Sequence, residues 1–317
     1  MRTPTTFLAA ALAAATLAAG CVQEENDAPG VAEAIPTAEQ VQIRLPQGGQ
    51  QQLALGQIAD FYVLTRGVTV SLNAGAAWVL ILVHTIVQFP PTTVEDNVYT
   101  WGPWEGNALD PARYRLVVTA NADGTYDWTL DGQSKTSPGP YITVINGHAV
   151  PDEDPGVAPH RGSGDFFIDF DAGEAVNPID NNPDTGNVLV TYDLAAKVVT
   201  MHAEGVDDLA NPASFDYFYD ENDDGSGDFQ FAIDANFEDS ATAAHEQALI
   251  RSRWLPTGAG RSDAMVSGGD LADVEVSATE CWDTQFRRVF YTDSGPWLPT
   301  EGDAAECAYA DTAMPDL

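Results

Sequence analysis

Two hydrophobic rhythms divide the chain. From Gln51 to Gln88 there is no proline, and Leu55, Ile58, Ala59 and Tyr62, then Val79, Leu82, Val83 and Ile86, recur at spacings of three and four. That is the helical period. It predicts two helices, 51–66 and 70–88, separated at Gly67, the second capped by Ser71 or Asn73 and ended by Pro90-Pro91. The stretch from Ala74 to Val87 is apolar nearly all round, broken by His84 and Thr85. It is too short to span a bilayer, so it calls for burial inside protein.

After Trp104 the period falls to two. Tyr114 to Thr119 and Thr125 to Leu130 alternate across Asn121-Ala-Asp-Gly124, which is the turn chemistry of a hairpin. The same grammar predicts strands at 141–146, 164–171, 187–193, 198–203, 214–220, 228–236, 248–254, 262–267, 273–279 and 286–291. Sequential strands joined by tight turns imply an antiparallel meander, and a sheet of about a dozen strands must curl or close. The expected fold is mainly β (α+β): a long antiparallel meander, curved or half-barrel, wrapped around an N-terminal apolar helix pair. It forms one domain over 48–312 with a tail over 313–317.

The first residues read as an address. Arg2 gives a positive start, Phe7 to Ala19 is a short Ala/Leu-rich run, and small residues close it. Leu17-Ala18-Ala19-Gly20-Cys21 resembles a bacterial lipobox, with Ala18 in place of the commoner Leu. The resemblance implies a signal peptide over 1–20 and a diacylglycerylated Cys21. Val22 and Gln23 follow instead of an inner-membrane retention aspartate, which points to the outer membrane. Residues 21–47 are acidic, polar and proline-containing, and read as a flexible tether. With Cys21 used by the anchor, Cys281 and Cys307 remain as an even pair, expected to be disulfide-bonded in an oxidising compartment.

Charge narrows the partners. Asp and Glu number 48 against 13 Lys and Arg, a formal charge of −35, and only Lys135 and Lys197 are lysines. With 44% apolar residues the chain can build a core, so the charge does not mean disorder. It does exclude nucleic acid as the default partner, and it repels an anionic bilayer. The membrane contact expected is therefore through N-terminal acyl chains, each buried CH₂ contributing about 0.8 kcal/mol. The acidity itself reads as a solvating surface suited to salty water.

Candidate chemistry is sparse. Asp220, Asn222, Asp224 and Asp228, with Gly225, fit the first half of a calcium loop, but Phe231 stands where a bidentate Glu belongs. The plainer reading is an acidic hairpin turn; Asp180-Asn-Asn182-Pro-Asp184 is a weaker echo. Calcium is the one cofactor these residues suggest. Arg251, Arg253, Arg261, Arg287 and Arg288 gather in one stretch and suit either an anionic ligand or structural ion pairs with Asp263, Asp270, Glu280 and Asp283. Trp101 and Trp104 flank Gly-Pro and suit turn packing or a ligand stack. His84 suits a core position or a ligand contact. The five histidines are scattered, and no hydrolase, zinc or phosphate-loop motif occurs.

Several motifs carry a resemblance. Phe89-Pro-Pro-Thr92, Trp101-Gly-Pro-Trp104, Arg251-Ser-Arg-Trp254, Gly258-Ala-Gly-Arg261-Ser-Asp263, Gly268-Gly-Asp270-Leu271, Glu280-Cys-Trp-Asp283, Phe286-Arg-Arg288 and Tyr291 together look like a family of lipobox-bearing lipoproteins of myxobacterium-like Gram-negative bacteria. That resemblance implies export and domain extent, and brings no activity with it. In architecture alone the layout is similar to periplasmic half-barrel carriers of lipids and lipoproteins. The expectation is a non-enzymatic binding or envelope-structural module, with an apolar small molecule or lipid as a candidate ligand in the concave sheet. A glycan or lipid hydrolase and a calcium-stabilised adhesin are the alternatives.

Overall fold

A computed structural model describes residues 57–106, 109–137, 139–151, 162–179, 185–205, 213–236, 244–295 and 299–315, with Gly30, Val41 and Leu317; at 71–78, 81 and 84 the backbone alone is described. Helix α1 (Asp60–Val87) comes first. Strands β1 (Thr93–Glu95), β2 (Val98–Trp104), β3 (Ala112–Ala120), β4 (Tyr126–Ser134), β5 (Ile142–Val150) and β6 (Ser163–Asp169) follow. A short helix α2 (Phe170–Val176) precedes β7 (Asn187–Asp193), β8 (Val198–Glu204), β9 (Ser214–Glu221), β10 (Gly227–Ala235), β11 (Glu246–Trp254), β12 (Gly260–Gly268), β13 (Val276–Trp282), β14 (Arg288–Asp293) and β15 (Glu301–Gly302).

All 15 strands form one antiparallel sheet in which every strand pairs with its neighbours in sequence, β1 through β15. The expected meander is what the chain forms. It does not close: β1 and β15 remain the edges, at three and two residues, and so short an edge offers little to a foreign strand.

The inner face is read from the strand alternation. Leu116 and Val118, Trp128 and Leu130, Phe166 and Ile168, Val188 and Val190, Tyr217 and Tyr219, and Phe229 point inward and are buried. Val79, Leu80, Val83 and Val87 of α1 belong to the same cluster. A helix of 28 residues is about 42 Å long, whereas β2 to β13 laid flat would span about 53 Å. Yet α1 touches both: Trp101 on β2 donates from Nε1 to the Phe89 carbonyl just past its end, and Glu280 on β13 accepts from Phe61 N near its start. The sheet therefore curls around the helix. Trp128, Trp254 and Trp282 each lie over a glycine on a neighbouring strand, Gly147, Gly227 and Gly260, where a β-carbon would sit 2.3–2.4 Å from the indole. These indoles occupy the room a side chain would take and let the strands bend without leaving a void.

The two helices expected around Gly67 are one. Gly67 sits exposed in mid-helix with open space around it, and the roughly 1 kcal/mol it costs is outweighed by burial of the flanking turns. Ser71 and Asn73 are helix interior, not caps. The start also differs. Residues 51–56 lie outside the described residues, and 57–59 are extended, because Ile58 bridges Arg287 and Ala59 N donates to the Phe286 carbonyl. The helix ends at Val87, just before Pro90-Pro91 as expected. Among the described residues no helix is long and apolar enough to cross a membrane.

The strands β1, β2 and β15 were not legible in the alternation; β2 is broken by Gly102-Pro103 and carries a register shift between Trp101 and Trp104. Two positions of the 21–47 stretch are described, and both are docked. A β-carbon on Gly30 would meet Tyr126 Oη at 2.6 Å, and Val41 is 2% exposed within the main core cluster.

Candidate functional site

The polar side chains with chemical potential collect at one side of the molecule, over β10 to β14. There both faces of the sheet are covered. On the outer face Arg251, Arg253 and Arg261 stand beside Asp228 and Asp263 on adjacent strands. Arg261 is 5% exposed and Asp263 is fully buried. The Arg261 guanidinium donates to both Asp263 oxygens at 2.8–3.0 Å, to the carbonyls of Tyr309 and Ala310 at 3.1 and 3.0 Å, and to Thr312 Oγ1 at 2.7 Å. Asp263 also accepts from Thr279 Oγ1 and Ala313 N. Arg253 reaches the Asp311 carbonyl at 2.6 Å and lies over the Tyr309 ring, and Arg251 pairs with Asp228 and reaches the Met314 carbonyl.

The C-terminal segment thus lies clasped over the outer face. Its backbone carbonyls accept from the guanidinium groups of all three arginines, as desolvated donors require, although Arg253 Nε is left buried without a partner among the described residues. The disulfide fixes the same segment: Cys281 on β13 and Cys307 are bonded, with Cα atoms 5.3 Å apart. The expected pairing of these cysteines is present. Of the five arginines expected as one group, Arg251, Arg253 and Arg261 come together here, whereas Arg288 joins Glu280 on the inner face and Arg287 lines a cleft. Residues 313 and 314, read as tail, take part in the clasp.

On the inner face a second ionic group receives the start of α1. The helix has no side-chain cap of its own at Ala59. Glu280, fully buried, accepts from Phe61 N at 2.5 Å through one oxygen and from Arg288 Nε at 2.5 Å through the other. A carboxylate there satisfies an orphan amide and the positive end of the helix dipole. Arg288 continues to Asp60 at 2.7 Å and Glu301 at 3.2 Å. One turn on, Thr65 Oγ1 meets Ser252 Oγ at 2.6 Å, and Ser252 meets Ser262 Oγ at 2.5 Å. Burial lifts the hydroxyl of Tyr291, next to this group, to about 12. Between Gln57, Arg287, Arg288, Val289, Glu301 and Gly302 an open cleft of about 180 Å³ indents the surface.

The candidate calcium residues resolve into turn geometry. Asn222 N donates to the Ser226 carbonyl, Gly225 N to the Asn222 carbonyl, and Asp224 Oδ1 accepts from both Ser226 N and Ser226 Oγ. The hydroxyl of Ser226 holds the Asp224 carboxyl below its usual range. Asn121-Ala-Asp123-Gly124-Thr125 makes the same bonds in the same places. The phrase Asn-x-Asp-Gly-Ser/Thr is therefore hairpin grammar used twice. Asp220 and Asp228 face each other on the outer surface, where burial first and Asp228 second push the Asp220 carboxyl up, and Arg251 takes Asp228. Among the described residues no three His, Cys, Asp or Glu side chains gather as metal ligands. The echo at 180–184 lies outside the described residues.

Trp101 is core and Trp104 is 39% exposed beyond the register shift, so the two indoles do not form one stack. His84 lies on α1 near Val83, and its side chain is outside the described residues, as is Cys21. Three other histidines sit on the outer face, each paired through Nδ1 with an aspartate: His148 with Asp127 at 2.6 Å, His202 with Asp216 at 2.6 Å, and His245 with Asp234 at 2.5 Å. The reading of residues alone paired the arginines with Glu280, as Arg288 does, but missed that this pair receives Asp60, Phe61 and Thr65 of the helix. The one sequence signal of that seat was a buried-looking Glu280 beside Cys281 and Trp282.

No family model, curated protein or solved structure matches the chain.

Proposed function

We propose that the chain is an exported lipoprotein, held at the outer membrane by acyl chains on Cys21, whose domain serves without catalysis as a binding or envelope-structural module. The observation that carries this reading is how the charged groups are used. Arg251, Arg253 and Arg261 clasp the C-terminal segment, and Glu280 and Arg288 seat the helix, so the groups best suited to chemistry hold the fold. A buried disulfide accords with assembly in an oxidising compartment. Among the residues on which the lipoprotein-family resemblance rests, Arg251 to Asp263 build the clasp, and Glu280 and Arg288 build the helix seat.

A second reading keeps an apolar ligand, and one observation favours a place for it. The concave face is taken by Val79, Leu80, Val83 and Val87, while Val63, Leu64 and Val70 on the same helix are 54%, 49% and 61% exposed. A lipid or other apolar molecule would lie along that outer side of α1, not between helix and sheet.

Mass spectrometry of the N-terminal peptide from membranes tests the anchor: a diacylglyceryl mass on Cys21, lost with release of the protein in Cys21→Ser, is expected, and an unmodified Cys21 rejects it. Organic extraction of the purified chain tests the ligand; an extract empty of lipid, together with unchanged lipid binding in Val70→Asp, rejects that second reading.

A further inference from the structure

The two docked positions ahead of the helix set a geometric limit. Gly30, at φ +85°, is packed on Tyr126, the first residue of β4, directly after the Asn121–Thr125 turn. Nine peptide units separate Cys21 from Gly30. Fully extended, they reach about 30 Å, and any less extended path is shorter. The chain is held again at Val41, which is buried in the core, so Gly30 does not mark a chance graze by a long loose leader.

In an antiparallel meander alternate turns share an end. The turns after β3, β7, β9, β11 and β13 lie at the Tyr126 end, and the connections after β4, β6, β8, β10 and β12 lie at the other. Strands of nine residues such as β4, β5 and β11 separate the two ends by about 30 Å. The near end carries Asp123, Asp223, Asp224 and Asp283 in its turns against Lys197 and Arg287. Its charge does not draw it to anionic headgroups, so orientation falls to the leader.

We propose that the end of the sheet bearing the Asn121–Thr125 turn faces the lipid surface, because the leader from an acylated Cys21 would have to be fully extended for the end bearing the Gly269–Val274 connection to do so, and that this second end points away. This rests on the lipoprotein reading. It assigns the membrane-proximal surface and leaves the far-end connections as the part that reaches outward.

The test uses the full lipidated chain in phosphatidylethanolamine vesicles carrying a headgroup energy acceptor. A donor dye is placed at Ala122→Cys or at Asp273→Cys, both exposed positions, with the disulfide left oxidised. Energy transfer from position 122 is expected to exceed that from 273 by roughly threefold, given the end-to-end separation. Equal or reversed transfer overturns the proposal. Inserting thirty Gly/Ser residues between Cys21 and Gly30 should abolish the difference; a difference that survives shows that the leader does not orient the domain. If Cys21 proves unacylated, the anchor reading fails by itself. The leader geometry is then judged in the soluble chain by spin labels on Cys21 and position 122. A distance longer than that from Cys21 to position 273 rejects it.

Discussion

The two halves of α1 are held by opposite means. Its C-terminal half buries Val79, Leu80, Val83 and Val87 against Trp101, Leu116, Phe166 and other apolar side chains of the inner face. Its N-terminal half has only a small apolar contact, Ala59 and Tyr62 against Trp282 and Phe286, and is seated by a carboxylate, an arginine and a chain of hydroxyls on β11 to β14. Apolar burial is strong but indifferent to a slide of one turn. The polar seat contributes less net energy, because Glu280 and Arg288 are desolvated, but it accepts Phe61 N and Thr65 Oγ1 in one register. The helix draws the larger part of its apolar burial from one end and its register from the other.

Breaking each half separates these contributions. The largest effect is expected for Glu280→Ala, which leaves the Arg288 guanidinium buried without its closest partner and Phe61 N uncapped: a loss of about 3–5 kcal/mol in chemical denaturation. Restoring wild-type stability with Glu280→Ala would show that the polar seat holds nothing. Leu80→Ala removes a fully buried side chain and should cost about 2–5 kcal/mol, with the native register kept. Replacing Cys281 and Cys307 together by alanine opens a loop spanning 26 positions. It should cost about 3 kcal/mol and raise protease cleavage near Tyr309, where the clasp loosens; an uncut C-terminus would mean that the arginines suffice. Thr65→Val leaves Ser252 and Ser262 to satisfy each other and should cost about 1 kcal/mol.

The smallest effect is electrostatic and lies outside both halves. The hydrogen bond to Asp216 raises the pKa of His202 above its ordinary 6.5. A raised folded value means that the protonated form favours the native state. The contribution is fully present below about pH 6.5 and is lost as pH rises through the folded value. His202 is 44% exposed, so solvent screens it and the effect is slight. The melting difference between wild type and His202→Gln should shrink from pH 5.5 to pH 8, and a difference that grows with pH contradicts the assignment.

What the sequence could reveal followed the length scale of each interaction. Hairpins were readable because turn and flanking strands are neighbours: Asn187–Asp193 was located to the residue, and Ser214–Glu221 and Val198–Glu204 to within one. Gly67 misled because its local cost is overridden by packing from residues far along the chain. The acidic phrase at 220–228 read two ways because Asn, Asp and Gly serve tight turns and cation cages alike; the Ser226 bonds show the turn. The clasp could be half seen. The arginines stood out, and their expected pairs with Asp263 and Glu280 form, but three of them also hold main-chain carbonyls at 309–314, which no side-chain pattern announces. The inner seat was invisible for a related reason: Glu280 and Phe61 are 219 positions apart.

That separation bears on the order in which the molecule is completed. Each hairpin can zip as soon as its two strands have emerged, since every strand pairs with the next. The helix cannot. It emerges before any strand, while the residues that seat its first turn belong to β13 and β14, near the end of the chain. A chain made from its N-terminus therefore presents α1, with its apolar side chains, while most of the strands are still to come and before its polar seat exists. The sheet curls over the helix strand by strand, and two of its latest strands secure the helix's first turn.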